Sequence, residues 1–264
     1  MFRSEGFHYV LVEPDFGLIF FALLSVTSTV GTLIGRKLNM ADLRRRGFIG
    51  AMAAGAASLG VSALANPVLA GAIEAASAPA VAADPAFDAW LNKIKGKHRQ
   101  VYDAPEPHEG MPLAWARVFL MSNAQVGVPM EEVTSVLVLR HDAICIAMKS
   151  PLWDKYKFGE VFKVTDNATM APAIRNPWHK PKAGELLLPD MDVDSLLKSG
   201  VLIAVCDLAL TVYSGMIAKN TGGDAAAIKK DWVAGLIPGI VRAPSGVFAV
   251  NRTQERKCTY CFAG

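Results

Sequence analysis

The chain has 264 residues, is 52% hydrophobic and 19% charged, and carries a formal net charge of +3. That balance excludes a disordered polyelectrolyte, and no Lys/Arg run interleaved with aromatics offers a nucleic-acid face. The four cysteines, Cys145, Cys206, Cys258 and Cys261, are too sparse for a small disulfide-held scaffold, although in an oxidising compartment they are able to pair.

Gly17 to Ile34 is apolar over about the length that spans a bilayer, roughly 20 residues. From Met40 the chain reads Met-Ala-Asp-Leu-Arg-Arg-Arg-Gly-Phe-Ile-Gly. A basic cluster (Arg44, Arg45, Arg46) precedes a mildly apolar run, Phe48 to Ala65. Small-residue sites follow at Ala63-Leu64-Ala65, Ala76-Ser77-Ala78 and Ala80-Val81-Ala82. Basic, then apolar, then small is the order of a cleavable signal. Arg45-Arg46-Gly47-Phe48-Ile49 resembles the twin-arginine consensus, although Arg44 stands where Ser or Thr is usual and Gly50 where Lys is common. Because a complete signal starts at Met40, residues 1–39 are read as a misassigned extension; the alternative is a transmembrane anchor. Residues 40–82 are then signal and linker, and residues 83–264 form one near-neutral exported domain, long enough for a sizeable core.

Along that domain, Phe87, Trp90, Leu91 and Ile94 recur at helical spacing. Gln100 to Tyr102 reads as a short first strand and Leu113 to Val126 as a helix. Val133 to Leu139 is β-branched and continuously apolar, the pattern of a strand buried on both faces of a parallel sheet. Asp192 and Asp194 suit the start of a helix over Met191 to Ser199, and Gly200 its stop. Val201 to Val205 is a second buried strand. Leu208 to Ala218 and Asp224 to Leu236 read as helices around the Gly222-Gly223 break. Gly239 to Arg242 reads as a short strand, Ser245 caps a helix to about Glu255, and Thr259 to Phe262 is a last strand. The alternation predicts a single doubly wound, mostly parallel α/β sheet flanked by helices. The stretch Asn167 to Pro189, rich in Pro, Asn and Lys, exceeds ordinary connections and is expected to be a functional flap or partly disordered.

Ligands of doubly wound sheets sit at the carboxyl ends of the strands. Those ends here are Arg140-His141-Asp142, Cys206-Asp207 and Pro244-Ser245-Gly246. Cys206 stands where a strand gives way to a helix, a place that favours a thiolate through backbone N–H groups and the helix dipole. Asp207 opposes this if it points the same way, and a buried structural thiol is the alternative. His141 is the companion candidate, able to orient or protonate a ligand at that edge. Cys145 reads as a packed small residue. Cys258-Thr259-Tyr260-Cys261 is a C-x-x-C that suits either a redox pair or a structural disulfide. It lacks the further ligands of a zinc site, and His98, His108 and His179 show no metal spacing. No G-x-G-x-x-G, Walker A or G-x-S-x-G sequence occurs, so no cofactor and no metal is expected.

Three stretches carry a family resemblance. They are Ser135-Val136-Leu137-Val138-Leu139-Arg140-His141-Asp142-Ala143-Ile144; Leu196-Leu197-Lys198-Ser199-Gly200-Val201-Leu202-Ile203-Ala204-Val205-Cys206; and Leu236-Ile237-Pro238-Gly239-Ile240-Val241-Arg242-Ala243-Pro244-Ser245-Gly246-Val247, running on to Gln254-Glu255. In this order they resemble the DsrE/DsrF-like proteins of sulfur relay. The resemblance implies a small flavodoxin-like sheet, a persulfide-carrying cysteine at Cys206, homo-oligomers, and a sulfur donor or acceptor protein as partner. The export signal adds the twin-arginine machinery as a partner and departs from the cytoplasmic habit of that family, as do Asn167 to Pro189 and the terminal Cys258/Cys261.

Two functions follow from this reading. One is a periplasmic sulfur or thiol carrier, which expects Cys206 to be partly exposed in a pocket, with Cys258 and Cys261 as a resolving pair. The other is a non-enzymatic oligomeric binding module, which expects a buried Cys206 and a Cys258–Cys261 disulfide.

Overall fold

A computed structural model describes residues 85–264; the expected signal, anchor and upstream extension lie outside them. Among the described residues no helix is long and apolar enough to cross a membrane. The chain runs α1 (Pro85–Leu91), β1 (His98–Ala104), α2 (Met111–Gln125), β2 (Val133–Leu139), a 3-10 helix (His141–Ala147), α3 (Ser150–Lys155) and α4 (Phe158–Val161). It continues with α5 (Val193–Lys198), β3 (Leu202–Cys206), α6 (Asp207–Thr221), α7 (Ala225–Ala234), β4 (Val241–Ala243), α8 (Gly246–Glu255) and β5 (Thr259–Phe262).

The five strands form one sheet in the order β4-β3-β2-β1-β5, and every pairing is parallel. The α/β class expected from the alternating runs is therefore present, with a sheet that is parallel throughout. Side chains alternate across it, as pleating requires. Leu137, Leu139, Ile203 and Val205 face the larger core with α2, α5, α6 and α7. Val136, Val138 and Ala204 face a smaller core made with α1 and α8. Both faces of β2 and β3 are covered, which explains their unbroken apolar sequences.

The winding direction follows from those layers. The chain steps from β1 through β4 with its connections on the larger-core face, then returns through α8 on the opposite face to place β5 beside β1. Local chemistry supports each step. Asp192 accepts from the Ser195 N–H to cap α5, Asp224 caps α7 through the Ala227 N–H, and Ser245 caps α8 through the Phe248 N–H. Gly222 takes φ 70° to close α6, a left-handed position where glycine carries no Cβ penalty.

The Pro/Asn-rich stretch between α4 and α5 is a packed strap. Asn176 is fully buried, and its Nδ2 donates to the carbonyls of Ile146 and Met148, each at 2.8 Å. Its Oδ1 accepts from the Trp178 N–H at 2.9 Å. Trp178 is buried edge-on to Trp153. A side chain that satisfies three backbone groups in a dry core takes the place that regular secondary structure fills elsewhere.

Candidate functional site

The connections leaving β1, β2 and β3 all go to one face of the sheet, while the connection leaving β4 goes to the other. The chain thus diverges between β3 and β4. That divergence is the switch point where open α/β sheets bind ligands. Cys206, the last residue of β3, stands at it. The N-termini of α6 and α8 both start there, and Leu208 N–H donates to Pro244 O across the gap at 3.3 Å.

Cys206 is the N-cap of α6. Its Sγ accepts from the Ala209 N–H at 3.3 Å, doing with sulfur what Ser or Asp does at an ordinary cap. The neighbouring carboxylate does not oppose it. Asp207 is held by Lys229 Nζ at 2.7 Å and by Arg242 at 2.9 Å, which offsets its charge. The Cys206 thiol also lies in the field of Arg140. However, Cys206 is only 6% exposed, and it lines neither of two cavities, of about 490 and 520 Å³, elsewhere on the surface. The expectation that a carrier thiol would be partly exposed in a pocket is therefore corrected: capping turns the sulfur inward, under its own helix.

His141 takes a left-handed backbone, φ 49°. Its ring packs edge-on to Tyr213 of α6 at 5.8 Å, and its Nδ1 lies 3.3 Å from Asp142 Oδ1. Asp142 also accepts a very short hydrogen bond from the Tyr213 hydroxyl. The His141 side chain is 62% exposed. Leu139 and Val205 are register partners, so Cys206 stands level with Arg140, one residue before His141. The histidine lies beside Asp142 with most of its side chain open to solvent.

Arg140, Asp103 and Tyr260 form a second group at the same edge, of which only Arg140 follows a strand end visible in the sequence. Arg140 donates to both oxygens of Asp103, from Nε at 2.6 Å and Nη2 at 3.0 Å. Tyr260 Oη donates to Asp103 Oδ2 at 3.0 Å. The Asp103 side chain is 8% exposed. The hydrogen bonding of Arg140 to the Asp103 carboxylate is the main cause raising the Arg140 pKa, burial opposing it. A fixed cation is thereby kept beside the switch point. Gly246, at the start of α8, lies directly over the Arg140 side chain, where a Cβ would collide.

All four cysteines are free. Cys145 is fully buried, as its reading as a packed residue expected, and burial first, then Asp142, pushes its thiol well above the usual range. Cys258 belongs to the smaller core and Cys261 packs against the larger one, so the two point to opposite faces of the sheet. Three extended residues span about 10 Å, beyond the roughly 7 Å between Cα atoms that a disulfide tolerates. Burial pushes Cys258 up to about 11. Among the described residues no group of three or more His, Cys, Asp or Glu side chains is placed to hold a metal.

No family model matches the chain, and neither a curated protein nor a solved structure is significantly similar to it.

Proposed function

We propose that the chain is an exported relative of the DsrE/DsrF-like proteins in which Cys206 accepts sulfane sulfur. The observation that carries this reading is the Cys206 sulfur at the switch point, accepting the Ala209 N–H with Arg140 nearby and Asp207 neutralised by two cations. These features set a backbone donor and positive charge around the sulfur that would take part in the exchange.

The step is an exchange with a persulfide, R–S–SH. The Cys206 thiolate attacks the outer sulfur, the new S–S bond forms as the old one breaks, and RS⁻ leaves with the electron pair. No net oxidation occurs and no cofactor is required. His141, oriented by Asp142, supplies a proton to the leaving group at the exposed rim. With 6% exposure at Cys206, the donor that reaches it is small, such as inorganic polysulfide.

The test is release of sulfur to a thiol acceptor after loading with polysulfide. Wild type should deliver sulfur and Cys206→Ser should not; equal delivery by both contradicts the proposal. Replacing Arg45 and Arg46 by Lys should leave the protein in the cytoplasmic fraction; unchanged export contradicts the twin-arginine reading.

The burial of Cys206 favours a second reading, a non-enzymatic binding module, assembled from several copies, in which the thiol serves only as a helix cap. In that case Cys206→Ser, which keeps a capping oxygen, leaves every measured behaviour unchanged.

A further inference from the structure

Between the packed strap and the start of α3 lies a cavity of about 490 Å³ lined by Lys149, Ser150, Arg175, His179, Lys180 and Asp194, with two prolines completing its wall. Its residues are separate from the Cys206 edge. Four of its side chains are basic and one is acidic. Among the described residues, neither Lys149 nor Lys180 has an ion-pair partner within 4 Å.

Arg175 is arranged differently. Asp166 and Glu185 both hold its Nη2, which fixes the guanidinium and leaves its other N–H groups without a protein partner among the described residues. The pinned Asn176 next to it makes this arrangement rigid, and Asn176 N–H donates to Ser150 Oγ at 3.3 Å, leaving the Ser150 hydroxyl proton free to donate elsewhere. His179 is 91% buried by its 9% exposure, with Nε2 3.4 Å from Asp194. Burial first, and then the charges of Lys180 and Lys149, lower its pKa against the pull of Asp194 and Asp192. Lys149 and Lys180 thus stand at the cavity without a carboxylate partner among the described residues, while Arg175 is compensated by Asp166 and Glu185. Fixed guanidinium N–H groups, two ammonium groups and a hydroxyl are the kind of donors that phosphate oxygens call for. The volume falls within the range of small-molecule sites, about 300–1,000 Å³, and so leaves room for an organic body against the prolines.

We propose that this cavity binds a small organic phosphate monoester, its phosphate held by Lys149, Lys180 and the remaining N–H groups of Arg175. The experiment is isothermal titration calorimetry of the full chain with phenyl phosphate, with inorganic phosphate and chloride at matched ionic strength as comparisons. Phenyl phosphate should bind saturably and more tightly than inorganic phosphate, and chloride should give no heat beyond dilution. The double variant Lys149→Ala/Lys180→Ala should weaken phenyl phosphate by at least about tenfold, and Arg175→Lys, which keeps the charge but loses the fixed N–H groups, should weaken it as well. Thermal midpoints of the lysine variants should match wild type, since neither side chain has an ion-pair partner among the described residues. Absence of saturable binding, unchanged affinity in the double variant, or equal affinity for inorganic phosphate overturns the proposal.

Discussion

Arg140, the residue after β2, and Asp103, the last but one of the neighbouring β1, are 37 positions apart and meet in a two-pronged ion pair, Nε to Oδ1 at 2.6 Å and Nη2 to Oδ2 at 3.0 Å. Most of Asp103 is out of water, so removing its partner leaves a poorly solvated charge. Arg140→Ala should therefore destabilise the fold by about 2–3 kcal/mol, at the lower edge of the values for buried pairs because the arginine is partly exposed. Urea unfolding measures this, and the same variant should slow alkylation of Cys206 by removing a cation from its surroundings. An unchanged midpoint with unchanged alkylation contradicts this role.

The cysteines should separate by reactivity in one timed alkylation. Cys261, partly exposed at the edge strand, should react first. Cys258, whose thiol is pushed up to about 11, should lag at neutral pH and gain rate as pH rises toward that value. Cys145 should stay unmodified until the protein unfolds. Mass analysis of the non-reduced protein should show Cys258 and Cys261 unlinked; a bond between them would mean that β5 leaves the sheet edge.

Asn176 should prove the most sensitive residue of the strap. Asn176→Ala removes the donors to two buried carbonyls and the acceptor of the Trp178 N–H. A cost of about 2–3 kcal/mol is expected from the unsatisfied groups, together with new proteolytic cuts between residues 167 and 189. An intact strap with normal stability contradicts the anchoring role.

Acid should weaken the fold in part through His179. Its pKa lies below the ordinary 6.5, so the unfolded chain binds this proton more readily than the folded one. Its contribution to stability is present above about pH 6.5 and is lost as pH falls through the folded value. The stability of wild type should decline across that window, and His179→Gln should flatten the decline. Parallel pH profiles for the two proteins contradict this assignment.

What could be read in advance follows from how local the determinants are. Val133–Leu139 and Thr259–Phe262 have the predicted bounds, because runs of β-branched and aromatic residues state their own conformation. Ser245 and Asp192 cap as expected, since a cap needs only the residues beside it. The strap could not be read this way: Pro and Asn announce irregular backbone without saying that Asn176 would enter the core. Nor could the meeting of Asp103 with Arg140 and with Tyr260, 157 positions away, because it depends on strand register. The same limit applied to Cys206. Its place at a strand end was legible, but the inward turn of its sulfur depends on which N–H group of α6 it caps.

The proposed function stands on uptake of sulfur by Cys206 at the switch point. Its most direct test is peptide mapping by mass spectrometry after brief treatment of the folded protein with polysulfide. The account predicts one added sulfur atom on the peptide holding Cys206, formed ahead of any on Cys258 and absent on Cys145. An unmodified Cys206 peptide beside a modified Cys261 would show that exposure alone governs the chemistry, and would contradict the proposed function.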